Sequence, residues 1–182
     1  RDPEESDDEF LARVLKDSKR QAEDAAAEGT RIHDAIECYF KGGNVPPQYF
    51  PHVRSVRDEI TNLYPDIDDW RAEDSFAHVS GFGGKVDLHS PSTGIVIDFK
   101  TKDGTADTWN KLAYDQYIQL AAYNYGLELP QAECVNIFVS RSTEGGCKSH
   151  TWSIEEINKG KEIFITSLQL WQTIKGYRPV WG

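Results

Sequence analysis

Apolar residues recur along this chain in two rhythms: a period of three to four at both ends and short alternating or continuous runs in the middle. Between Asp8 and Glu28, Phe10, Leu11, Val14 and Leu15 fall at helical spacing before an alanine-rich run ending at Gly29, which predicts an amphipathic helix. A second helix is expected from Thr30 to Gly42-Gly43, with Ile32, Ile36, Tyr39 and Phe40 in one stripe, and Pro46-Pro47 marks a loop. Val53 to Tyr64 reads as a third helix, with Val53, Val56, Ile60 and Leu63 inward, Arg54 and Arg57 elsewhere, and Pro65 closing it.

From Trp70 the pattern changes. Arg71 to Val79, Gly84 to Ser90 and Ile95 to Thr101 are short, β-rich and separated by Gly, Ser or Pro, which predicts a three-stranded meander. A long helix over Lys111 to Leu127, a buried strand over Cys134 to Arg141 and a short strand over His150 to Ser153 follow. Ser153 and Glu156 form a capping box for a last helix, on which Ile157, Phe164, Leu168 and Trp171 recur at helical spacing. This order predicts one α/β domain over residues 1–182, a mixed central sheet with helices on both faces and extra N-terminal helices.

Composition narrows the class. The 182 residues are 38% hydrophobic and 27% charged, an ordinary globular balance, and no apolar run approaches the roughly 20 residues of a membrane span, so a soluble protein with no membrane partner is expected. Cys38, Cys134 and Cys147 are far apart, lack CxxC spacing and leave one over in any disulfide scheme, which points to an intracellular, reducing compartment. The chain begins with Arg1 and contains no methionine, so a trimmed or processed product is expected, its targeting information missing.

A net charge of −10 argues against a protein that coats nucleic acid. Its distribution weakens that objection: residues 1–28 hold ten acids against five bases, whereas residues 138–182 hold six bases against four acids. A polyanion would approach the second region, and carboxylates holding divalent cations would cancel more of the excess.

The stretch "GGKVDLHSPSTGIVIDFKTK", Gly83 to Lys102, carries the candidate chemistry. With Pro91 to Gly94 as the loop, Ser90 faces Ile95, Leu88 faces Ile97, Asp87 faces Asp98 and Lys85 faces Lys100. Opposed residues of an antiparallel pair share a face, so two carboxylates and two ammonium groups converge. Paired acids destabilise a hairpin unless a positive charge lies between them, and carboxylate oxygen suits the hard ions Mg²⁺ and Mn²⁺. The alternative is a solvated hairpin face on which a lysine bridges two aspartates, but a strand as apolar as Ile95 to Phe99 is expected to be buried.

Asp87 followed by Asp98-Phe99-Lys100 resembles motifs II and III of the PD-(D/E)XK nuclease superfamily. "GTRIHDAIECYF" is similar to the histidine-bearing helix of its RecB-like branch, and Gln119 with Tyr123 in "YDQYIQLAAYNYG" resembles that branch's Q-x-x-x-Y signature. Within the branch, mitochondrial genome maintenance exonucleases and related phage exonucleases look closest. The resemblance implies a restriction-endonuclease-like αβββαβ core and a metal-dependent DNA exonuclease acting on single-stranded ends. It implies Mg²⁺ or Mn²⁺ held by His33, Asp87, Asp98 and the Phe99 backbone carbonyl, with Lys100 orienting the attacking water. Glu73, or Asp74 one residue on, would support that site. Lys85 would share the role of Lys100 or sit at the mouth of the site. Gln119 and Tyr123 would brace the catalytic groups or touch the nucleic-acid backbone.

Arg141 is a candidate phosphate contact. Trp109 either stacks on a base or lids the core. The segment 42–66, with Arg54 and Arg57, is a candidate arch admitting a single strand. Three separated cysteines exclude a four-cysteine iron–sulfur cluster within one chain. Partners in replication or recombination are expected. The alternatives are a catalytically inactive nuclease-fold assembly module and a structure-specific endonuclease.

Overall fold

Ser6 opens the first helix, α1 (Asp7–Phe40), by accepting the Glu9 N–H while the Glu9 side chain returns to the Ser6 N–H. In this computed structural model, which describes residues 5–109, 115–129 and 133–179, α1 runs straight through Gly29. The two helices expected on either side of that glycine are therefore one. Gly29 is a crossing point rather than a stop: a Cβ there would lie 2.7 Å from Thr101 Oγ1 on the sheet, so only glycine lets helix and strand approach this closely. Ahead of the crossing, Leu11, Val14 and Leu15 remain exposed.

A 3₁₀ turn (Pro47–Tyr49) leads into α2 (Phe50–Leu63). Val53, Val56 and Ile60 of α2 are buried as expected, whereas Leu63 is 37% exposed because the helix ends there, past the sheet. Strands β1 (Arg71–His78), β2 (Phe82–His89), β3 (Val96–Lys102), β4 (Cys134–Ser140) and β5 (Cys147–Thr151) lie side by side in that order, all neighbours antiparallel except β3 and β4. Helix α3 (Gln116–Gly126) joins β3 to β4. Its expected start at Lys111 falls outside the described residues. Helix α4 (Ile154–Lys175) begins with the Ser153–Glu156 capping box and ends at Gly176. Trp171, expected inward, is 48% exposed on the last turns of α4.

Two hydrophobic cores result, one on each face. Ile32, Ile36, Val53, Val56 and Ile60 cover Leu88, Ile97, Phe99, Val135, Ile137 and Val139. Leu120, Ala121, Ile157 and Trp152 cover Val86, Val96 and Cys134 on the other. The order α1, β1–β3, α3, β4 is an αβββαβ core with helices on both faces of a mixed sheet, to which α2 is added on the α1 side. Among the described residues no helix is long and apolar enough to cross a membrane.

The regular alternation of faces fails at one place. Residues two apart on a strand should share a face, yet Leu88 belongs to the core under α1 and α2, and Val86 to the core under α3 and α4. On β1, Ala72 packs against the first core and Phe76 against the second. The exchange lies between the pairs Ala72–Leu88 and Asp74–Val86, where Glu73 opposes Asp87 and the ladder is interrupted. Glu73 has φ 57°, in the left-handed region, which turns β1 over, and β2 changes face opposite it without an added residue.

Candidate active site

The β2–β3 hairpin begins in the expected register. Ser90 N–H bonds to Ile95 O at 3.0 Å, and the ladder continues through His89–Val96 and Leu88–Ile97. There it stops, so the expected backbone pairs Asp87–Asp98 and Lys85–Lys100 do not form. Because β2 has turned over at Asp87, that side chain swings into the gap and accepts the Phe99 N–H at 2.8 Å through Oδ2. Lys85 is carried away with β2, opposite Ser75 of β1, and its ammonium pairs with Glu73.

Asp87 meets α1 across this gap. His33 lies one turn beyond Gly29, and its Nδ1 is 3.8 Å from Asp87 Oδ2, the imidazole edge-on to Phe99 at 6.3 Å. Burial pushes the His33 imidazole below its ordinary value; Asp87 opposes that and Lys100 reinforces it. The ring is thus neutral at pH 7, the form that offers a lone pair to a metal.

Asp98, 1% exposed, faces the α3 side. Lys100 Nζ grips both its oxygens, Oδ1 at 2.8 Å and Oδ2 at 2.7 Å, and Asn136 Nδ2 donates to Oδ2 at 2.7 Å. Burial raises the Asp98 carboxyl to about 6; Lys100 pulls it down and Asp87 pushes it further up. Lys100 also donates to Gln119 Oε1 at 3.0 Å, and Gln119 Nε2 donates to Tyr123 Oη at 2.6 Å. The helical spacing of Gln119 and Tyr123 sets this last contact. Burial holds the Tyr123 phenol above its ordinary value, so its proton is retained and left to donate.

Asn136 and Trp152 are site residues that the sequence reading missed. Trp152 Nε1 donates to Asn136 Oδ1 at 2.7 Å, so a chain of hydrogen bonds runs Trp152, Asn136, Asp98, Lys100, Gln119, Tyr123. The signal was available: an asparagine inside "CVNIFVS", a strand buried at every position, must find partners for its amide.

The expected imidazole and two carboxylates are thus divided between a His33–Asp87 pair and an Asp98–Lys100 network. Among the described residues no three His, Cys, Asp or Glu side chains stand close enough together to hold a metal ion. The donor chemistry nevertheless suits a hard divalent cation: a neutral imidazole, Asp87 Oδ1 with no hydrogen bond among the described residues, and Asp98 oxygens with further lone pairs. Phe99 turns its N–H toward Asp87, and in an extended strand the carbonyl of the same residue faces that side too.

The remaining expected residues lie outside this cluster. The Arg141 guanidinium is clamped by both oxygens of Asp103, at 3.0 and 2.9 Å. Trp109 is 7% exposed, packs on Phe138 and donates to Asp103 O at 2.9 Å, the lid arrangement rather than an open stacking face. Arg54 and Arg57 sit on the outer side of α2 beside Asp58. The inner side of α2 is buried in the first core through Val53, Val56 and Ile60. Cys38, Cys134 and Cys147 are not joined by disulfides among the described residues, and burial pushes the Cys134 and Cys147 thiols up to about 12.

By sequence, no family model and no curated protein matches the chain. By structure it is similar to a crystal structure from Eubacterium rectale named "Putative exonuclease", with TM-score 0.55 and 14% identity over 82% of this chain and 68% of that one. The two share a fold. At this identity the likeness concerns architecture alone.

Proposed function

We propose that this protein is a metal-dependent deoxyribonuclease of the PD-(D/E)XK superfamily, RecB-like branch, digesting DNA from single-stranded ends inside the cell. The observation that carries the reading is Lys100, fixed between the two oxygens of a buried carboxylate and the Gln119 amide, with His33 and Asp87 across the same gap. That constellation suits phosphodiester hydrolysis, in which a cation must meet growing negative charge at a defined point.

His33, Asp87, Asp98 and the Phe99 carbonyl would hold Mg²⁺ or Mn²⁺, which when bound supplies Lewis acidity and a more acidic water. Lys100, still 27% exposed, presents its ammonium to the phosphate and to the attacking water. Asp98 and Gln119 keep that ammonium from rotating away, so its orientation is set before substrate arrives. Tyr123 Oη accepts from Gln119, which leaves its proton to be donated to the nucleic-acid backbone. Glu73 holds Lys85 at the rim as an ion pair.

One observation favours a second reading, an assembly module without catalysis. Both Asp98 oxygens are already satisfied by Lys100 and Asn136, an arrangement stable without any cation. End-labelled single- and double-stranded DNA, incubated with Mg²⁺, with Mn²⁺ and with EDTA, separates the two. Nuclease action predicts metal-dependent shortening that Asp98→Ala abolishes; identical products from parent and variant overturn it. Closed circular single-stranded DNA should stay intact, and its cleavage would make the enzyme an endonuclease.

A further inference from the structure

Beside the Lys100–Gln119–Tyr123 chain lies a cavity of about 460 Å³, within the size range of small-molecule sites. Its walls are Phe76, Phe82 and Phe164, drawn from β1, β2 and α4, with Tyr123, Gln119 and Gln116 of α3 completing it. The rings lock one another edge to face: Phe82 and Phe164 at 4.8 Å, Phe76 and Phe82 at 5.7 Å, Phe76 and Tyr123 at 6.3 Å. Such walls are pre-shaped. They also carry an unmet demand, because Gln116 Oε1 is buried with no hydrogen-bond partner among the described residues. A buried acceptor left alone is costly, and this one lies behind the wall rather than on its surface.

The cavity shares Gln119 and Tyr123 with the catalytic network. Gln116, Gln119 and Tyr123 are spaced three and four apart, so one face of α3 runs from the cavity to the Lys100 ammonium. A ligand filling the cavity is therefore joined to whatever Lys100 holds.

We propose that this cavity receives the unpaired nucleobase of a nucleotide flanking the phosphate held at Lys100. The inference rests on the nuclease reading above and adds to it a cause for single-strand preference. Aromatic walls take a base by its π-faces, which stacked neighbours cover in a duplex. Every base has such faces, so the pocket excludes stacked, paired ends and tolerates any sequence.

The first measurement leaves the pocket unchanged. A single-stranded oligonucleotide, with 2-aminopurine placed at successive positions from its end, is titrated with the native protein in EDTA and with Asp98→Asn protein in Mg²⁺. One position should lose fluorescence on stacking, and an abasic residue there should weaken binding on the order of ten-fold, while abasic residues further in change it little. Phe164→Leu should reduce the fluorescence loss at that position and weaken binding as the abasic residue does. Binding with no positional dependence overturns the pocket alone and leaves the nuclease reading standing. Absence of binding to any strand, paired or unpaired, overturns both.

Discussion

The Asp87 carboxylate does the work of a neighbouring strand: it accepts the Phe99 N–H at 2.8 Å, where the β2–β3 ladder has already ended. A side chain expected only to bind a cation is also closing a sheet.

Those two roles separate on substitution. Asp87→Asn keeps an oxygen for the Phe99 N–H, so its unfolding free energy should stay within about 1 kcal/mol of the parent. Asp87→Ala leaves that N–H unpaired and should cost about 1–3 kcal/mol. Both should be inactive on labelled DNA. Equal stability losses in urea denaturation would show that the hydrogen bond contributes nothing.

Asp98 makes stability depend on pH. Its folded value of about 6 lies above the ordinary 3.8 because burial outweighs Lys100. A carboxyl raised by folding binds its proton more tightly in the folded state, so its contribution is complete below about pH 4 and disappears as pH rises through about 6. The interval corresponds to on the order of 3 kcal/mol. Asp98→Asn lacks this titration. Its stability relative to the parent should therefore improve by that order between pH 4 and pH 8, and a constant difference would contradict the assignment.

Gly126, at the end of α3, is pressed on the Phe76 ring: a Cβ there would lie 1.9 Å from Phe76 Cε2. Gly126→Ala must displace that ring and should cost about 1–3 kcal/mol. Phe76→Leu should recover part of the loss, giving a coupling energy of about 1 kcal/mol or more in a double-mutant cycle of thermal unfolding. Additive single effects would mean that the ring is not what the new methyl meets.

Asn136 is fully buried, with both ends of its amide engaged. Asn136→Leu strands the Trp152 N–H and removes a donor from Asp98, a loss of about 2–3 kcal/mol. It should also shift the acid limb of the pH–rate profile upward, because the hydrogen bond it deletes holds the Asp98 carboxyl down. A stability loss with an unmoved profile would confine Asn136 to packing.

Much of this was legible in the residues. The loop Pro91 to Gly94 set the hairpin register, and the alternation of Val135, Ile137 and Val139 with Cys134 and Asn136 announced a strand buried on both sides. Spacing placed Gln119 beside Tyr123. What escaped was backbone geometry with no residue signature. Glu73 holds a left-handed conformation that sequence rules reserve for Gly, Asn or Asp, so nothing announced that β1 and β2 turn over there. Gly29 was read as punctuation because glycine more often ends a helix than admits a neighbouring strand. Its reason lies on Thr101, 72 positions further along.

The turnover at Glu73 and Asp87 makes β2 a wall common to two rooms. Leu88 hangs on one side and Val86 on the other, and Asp87 stands in the doorway. Loosening either interior therefore tilts the same carboxylate, so substitutions far from the cleft, beneath α2 or beneath α4, register at the residue that faces His33.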